Sequence, residues 1–122
     1  MVVVDASALG AIVFDDGRAG QIVAWLSGEA LHAPSLFPLE MANATLSRCR
    51  RAPALAERFV AGLGRVLDMP ITIHAVDPLA VFALAVETGL TAYAAAYLRL
   101  SRDLGAPLVT LDKQLLAAAA RR

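Results

Sequence analysis

One cysteine, Cys49, stands among 122 residues. That excludes an intramolecular disulfide framework and suits a reducing compartment. Charge of one sign is missing too: 11 Lys and Arg balance 11 Asp and Glu, for a net charge of zero. The broad basic footprint of many nucleic-acid binders is therefore absent, and any RNA contact needs a local patch or a metal ion. No long apolar run is present. The longest stretch without a charge is Thr88–Leu98, about half of the ~20 residues a membrane-spanning helix needs. The start, Met1-Val2-Val3-Val4-Asp5, has no basic segment or cleavage site of a signal peptide. A cytoplasmic protein is expected.

Several catalytic signatures are missing as well. Ser7 lies in no Gly-x-Ser-x-Gly elbow, which argues against a serine hydrolase. The 8 glycines form no phosphate-cradling loop. Asp15-Asp16 falls too far beyond the first strand for a receiver-like phosphoacceptor. His32 and His74 have no second ligand at metal spacing and read as packed or hydrogen-bonded side chains.

What is present is an apolar chain, 58% hydrophobic. Its length suits one domain spanning residues 1–122. So apolar a composition excludes disorder. A small domain with surplus apolar residues is expected to place some on a partner face, a homodimer or another protein.

Short β-branched runs alternate with helical patterns. Strands are predicted at Val2–Val4, Leu31–Ala33, Thr72–Val76 and Pro107–Leu111. Helices are predicted at Ser7–Phe14, Gly20–Leu26, from an N-cap at Ser35 to about Arg50, and at Pro53–Leu67, Pro78–Glu87, Thr91–Leu104 and Asp112–Ala120. This alternation defines an α/β fold with a short parallel sheet flanked by helices. Sites in such folds gather beyond the carboxyl ends of the strands.

Asp5 and Asp112 each come directly after a predicted strand, and Glu40 opens the helix after the second. Taken singly, Asp5 and Asp112 are good helix caps and Glu40 a favoured first-turn acid. Taken together, three carboxylates at one rim repel one another, and a hard divalent cation, Mg²⁺ or Mn²⁺, relieves that repulsion. Such an ion activates water for attack on a phosphodiester. Asn43 shares the Glu40 face at i+3. Arg48, Arg50 and Arg51, with Arg58 and Arg65 downstream, form the one basic cluster, either a solvated helix face or a patch for RNA phosphates. Trp25, Phe37, Phe59 and Phe82 read as core or interface residues. Tyr93 and Tyr97, four apart on one helical face, read as packing residues at a dimer seam, with a place near a substrate groove as the alternative.

The segments Val3-Val4-Asp5-Ala6-Ser7-Ala8, Leu39-Glu40-Met41-Ala42-Asn43-Ala44, Leu90-Thr91-Ala92-Tyr93 and Leu108-Val109-Thr110-Leu111-Asp112 together resemble a PIN-domain ribonuclease toxin of the VapC type. The resemblance runs through nearly the whole chain. It implies a PIN-like fold and a Mg²⁺- or Mn²⁺-dependent endoribonuclease, usually homodimeric and restrained by a cognate antitoxin. Asp5, Glu40 and Asp112 match three of the family's acidic metal ligands, and Ser7 the hydroxyl supporting the first. Asn43 and Thr110 lie in matching segments. The resemblance also implies an antitoxin groove along the helices near Ala19–Leu26 and Leu55–Leu67.

One departure touches the chemistry. The family's third acid falls on Ala94. Deliberate replacement and natural loss would leave the same pattern, and either implies a chain nearly inactive as a nuclease. The alternative is a catalytically dead PIN-like module that keeps antitoxin or RNA binding. A third reading is a metal-free structural domain whose acids are only caps. A milder departure is the lack of the further short edge strand found in many such proteins.

Overall fold

A computed structural model describes residues 1–121. Four strands, β1 (Val2–Val4), β2 (Leu31–Pro34), β3 (Ile71–His74) and β4 (Leu108–Val109), form a parallel sheet in the order β3-β2-β1-β4. Seven α-helices accompany the sheet among the described residues: α1 (Ala6–Val13), α2 (Ala19–Leu26), α3 (Phe37–Arg51), α4 (Ala56–Leu67), α5 (Pro78–Thr88), α6 (Ala92–Leu104) and α7 (Lys113–Ala120). No single helix among the described residues is long and apolar enough to cross a membrane.

β1 is central, and its composition shows why. Val3 and Val4 are fully buried. A strand covered on both faces reads as an unbroken apolar run, and each buried valine contributes on the order of 1.5–3 kcal/mol. β1 pairs Val2 with Leu31 and Val3 with His32 on one side, and Val3 with Leu108 on the other. α3 and α4 each turn one apolar face inward, through Phe37, Met41 and Thr45 on the former and Phe59, Gly62 and Val66 on the latter. Gly62 lets α4 approach α1 closely, since a Cβ there would lie 2.6 Å from the Val13 carbonyl oxygen. Gly89 ends α5 in the left-handed region at φ 76°, which glycine adopts without steric cost.

Several sequence expectations need correction. Ser35 does not cap α3. The N-cap is Leu36, which makes no side-chain cap bond, and the Ser35 amide instead donates to the His74 carbonyl, extending the β2–β3 ladder. The helix expected over Pro53–Leu67 begins as a 3₁₀ turn, Pro53–Leu55, before α4. β3 lies at Ile71–His74, two residues earlier at its end than the β-branched run suggested, because pairing with β2 sets its limits. β4 is an edge strand of two residues, shorter than Pro107–Leu111. Of the four aromatic residues read as core or interface, Phe37 and Phe59 are buried in the core, while Trp25 and Phe82 are 48% and 65% exposed and fit only the interface reading. Arg122 lies outside the described residues.

Candidate functional site

All strands run the same way, so the residues just beyond their C-terminal ends gather at one edge of the sheet. Asp5 comes directly after β1, Glu40 lies in the first turn of α3 after β2, and Thr110 and Asp112 come after β4. The N-terminus of α6 arrives at the same edge. A cavity of about 260 Å³ there is lined by Asp5, Ser7, Glu40, Thr91, Tyr93, Ala94, Tyr97, Asp112 and a few apolar neighbours. The structure thus brings Asp5, Glu40, Ala94 and Asp112, drawn from four regions of the chain, around one space. The starts of α1, α3, α6 and α7 all border it. Helix N-termini carry partial positive charge, which offsets part of the repulsion among these acids.

Each carboxylate is anchored differently. Asp5 is 5% exposed. Its Oδ1 accepts from Ser7 Oγ at 2.7 Å and from the Ala8 amide at 3.1 Å, and its Oδ2 accepts from Thr110 Oγ1 at 2.8 Å. Burial pushes its pKa up, and the charge of Asp112 adds to the rise, while the three hydrogen bonds oppose it. Asp112 caps α7 by accepting both the Gln114 and Leu115 amides on Oδ1. Glu40 Oε1 accepts from the Tyr97 hydroxyl at 2.6 Å. Burial raises the Glu40 pKa, the Tyr97 bond opposes this, and the charge of Asp5 adds to it. Tyr97 is driven far above the usual phenol range by burial and by Glu40, so it stays a donor at neutral pH. Capping and clustering therefore coexist: Asp5 and Asp112 do what ordinary caps do and still face a shared cavity.

Among the described residues, no three His, Cys, Asp or Glu side chains come close enough to hold one ion between them. The donor chemistry nonetheless fits a hydrated hard cation. The cavity offers three carboxylates, hydroxyls from Ser7 and Thr91, and no Lys or Arg in its wall. Mg²⁺ usually keeps several waters and takes only one or two carboxylates directly, so a three-carboxylate cage is not required. Ala94 occupies the wall where a fourth acid would add charge.

A second cavity, about 480 Å³, shares Ala6, Ser7 and Glu40 with the first and leads away to Arg18, Asn43, Ser47, Arg48 and Arg51. Asn43 thus shares a groove with Glu40, as the i+3 spacing implies. The basic cluster divides: Arg48 and Arg51 line this groove, and Arg50 does not. Arg48 stacks 4.4 Å above the Phe14 ring, and Arg58 turns to Asp15 at 3.4 Å. Arg18 does not stand out in the sequence, because it is isolated beyond α1. A wider groove between the end of α6, β4 and α7, about 680 Å³, has no carboxylate in its wall.

Tyr97 is packed in the core and Tyr93 is 67% exposed, and both reach the acidic cavity. The Tyr97–Glu40 bond has no signature in the sequence, since nothing local links positions 57 residues apart. His32 and His74 hydrogen-bond to each other at 2.7 Å across β2 and β3, consistent with their reading as structural side chains.

A parallel α/β fold with carboxylates gathered at its carboxyl edge is the arrangement of a PIN domain. The family model described as "PIN domain" matches residues 2–121, and the chain belongs to that family. Within it, the chain is similar to Ribonuclease VapC3 of Mycobacterium tuberculosis, 34% identical over 119 residues that cover 96% of this chain and 86% of the relative. It is similar also to Ribonuclease VapC3 of Pyrobaculum aerophilum, 32% identical over 119 residues covering 93% and 91%. The crystal structure of PAE2754 from Pyrobaculum aerophilum superposes with a TM-score of 0.79 at 30% identity, covering 98% of this chain and 84% of that one. That of Mycobacterium tuberculosis VapC20, a sarcin-ricin loop cleaving toxin, matches in fold with a TM-score of 0.71 at 18% identity, covering 97% and 95%.

Proposed function

We propose that this chain is the toxin component of a toxin–antitoxin pair, built as a Mg²⁺- or Mn²⁺-dependent endoribonuclease and strongly impaired by Ala94. The observation that carries this reading is the single cavity shared by Asp5, Glu40, Asp112 and Ala94. Asp5, Glu40 and Asp112 would surround a hydrated ion, one or two of them binding it directly and the rest through its waters. When bound, it supplies water activation and charge stabilisation at a phosphodiester.

The protein's own residues set the geometry. Ser7 and Thr110 hold both oxygens of Asp5, and the α7 amides hold one oxygen of Asp112. The adjoining groove leads the RNA backbone past Asn43 to Arg48 and Arg51, where the guanidinium fork matches phosphate. Without a carboxylate at 94, water and phosphate are poorly positioned, which removes several kcal/mol of transition-state stabilisation, a factor of about a thousand or more.

Protein partners are proposed on exposed apolar surface. Val23 and Trp25 on α2, with Val60 and Leu67 on α4, offer an antitoxin face. Leu79, Phe82 and Val86 keep helical spacing along α5 and suit a second copy of the chain.

The second reading, a PIN-like module that binds antitoxin or RNA without cutting, draws on the absence of a three-ligand cluster among the described residues. Restoring aspartate at 94 separates the two: the nuclease regains cleavage and the binding module stays inert. A metal-free structural domain predicts no change of melting temperature with Mn²⁺ and chelator, whereas an ion that binds only the native state raises it.

A further inference from the structure

We propose that Tyr97 is a positioning residue that fixes the Glu40 carboxylate so that Oε2, and not Oε1, is left to the acidic cavity. The inference rests on the nuclease reading above and deepens it.

The three acids differ in how they are held. Asp5 and Asp112 are short side chains anchored by amides of their own helix starts, Ala8 for the first and Gln114 and Leu115 for the second. Glu40 has no such anchor. α3 has no side-chain cap bond at its N-terminus, and glutamate has among the largest rotamer freedoms to lose. The one hydrogen bond to its carboxylate among the described residues comes from α6, through the Tyr97 hydroxyl on Oε1 at 2.6 Å.

The Tyr97 ring is 2% exposed, so the hydroxyl is delivered from a fixed place. Tyr97 also stands one helical turn beyond Ala94, so the anchor for Glu40 and the missing acid descend from the same face of α6. A tyrosine that only satisfied its hydroxyl on the nearest carboxylate would leave the cation site unchanged on losing it. The two roles separate in how the cation site responds when only the hydroxyl is removed.

The test measures Mn²⁺ affinity by calorimetry in the Ala94→Asp protein, alone and with Tyr97→Phe, Glu40→Gln, and both. Metal-free unfolding midpoints are taken on the same four proteins. Partners that orient a metal ligand typically contribute 10–100-fold in affinity, so Tyr97→Phe is expected to weaken Mn²⁺ binding about tenfold or more. The same change in the Glu40→Gln background is expected to do nothing further, because the carboxylate that Tyr97 orients toward the ion is already gone. Unchanged affinity in Tyr97→Phe overturns the inference, as does equal weakening with and without Glu40, which would mark a general packing effect. Failure of the Ala94→Asp parent to bind Mn²⁺ overturns the metal reading itself, and this inference with it.

Discussion

Thr110 donates its hydroxyl to Asp5 Oδ2 at 2.8 Å across 105 positions of sequence. The Thr110 Oγ1 also accepts the Asp112 amide at 3.0 Å. One hydroxyl thus ties the acid after β1 to the loop that presents the acid after β4. Thr110→Val removes it while keeping the shape of the side chain. Asp5 is buried, so the loss leaves a desolvated carboxylate oxygen and a backbone amide without partners. The expected cost is about 1–3 kcal/mol, with Thr110→Ser close to the parent. Denaturant titration measures both; a Thr110→Val protein within ~0.5 kcal/mol of the parent, the range of ordinary surface substitutions, would remove this link.

Asp5 and Glu40 lead to a pH prediction. Burial raises both above their ordinary values of 3.8 and 4.5. The folded state therefore holds protons that the unfolded state has released. Stability from this source is complete below those ordinary values and is lost as pH rises through the raised ones. Melting temperature in chelator from pH 4 to 7 should fall more steeply for this chain than for Asp5→Asn. Parallel curves would contradict the raised Asp5 value. Mn²⁺ at pH 7 should recover part of the loss, because it compensates the same charge.

Arg51 and Arg50 are neighbours in sequence, but only Arg51 lines the groove beside Glu40. Binding of a single-stranded RNA, monitored by anisotropy against salt, should show the difference. Each phosphate contact contributes about 0.7 to the slope of log affinity against log salt for single strands. Arg51→Gln is expected to lower the slope by about that amount, and Arg50→Gln to leave it unchanged. Equal effects would return the cluster to a solvated helix face.

Gly62 tests the packing of α4 on α1. Adding a Cβ meets the Val13 carbonyl oxygen at 2.6 Å, a backbone atom that cannot swing aside. Gly62→Ala should destabilise by about 1–3 kcal/mol, as overpacking does. Gly64, which has nothing within 4 Å of an added Cβ, should gain slightly from alanine because it lies inside the same helix.

The fold was legible where local pattern and burial agree. Val2–Val4 announces a strand by its β-branched run, and the alternation of such runs with helical patterns announces the parallel order. Limits set by partners were not legible: β3 ends where β2 stops pairing, and Ser35 gives its amide to His74 instead of capping α3. The acids Asp5, Glu40 and Asp112 stood out because each comes after a strand or opens the next helix. Arg18 and the role of Tyr97 did not, since each is defined by a side chain far away in sequence. The exposed Phe82 and Trp25 show the same limit, because composition reports apolar residues and not which of them await a partner.

We propose the four-sided acidic cavity as a nuclease site missing one side at Ala94. The direct test is Mn²⁺-dependent cleavage of total cellular RNA by the Ala94→Asp protein beside this chain. Chelator-sensitive cutting by the aspartate form is expected, faster by about a thousandfold or more, with almost none by this chain. Equal, low activity from both, with folding and Mn²⁺ binding verified, would contradict it and leave a PIN domain that binds without cutting.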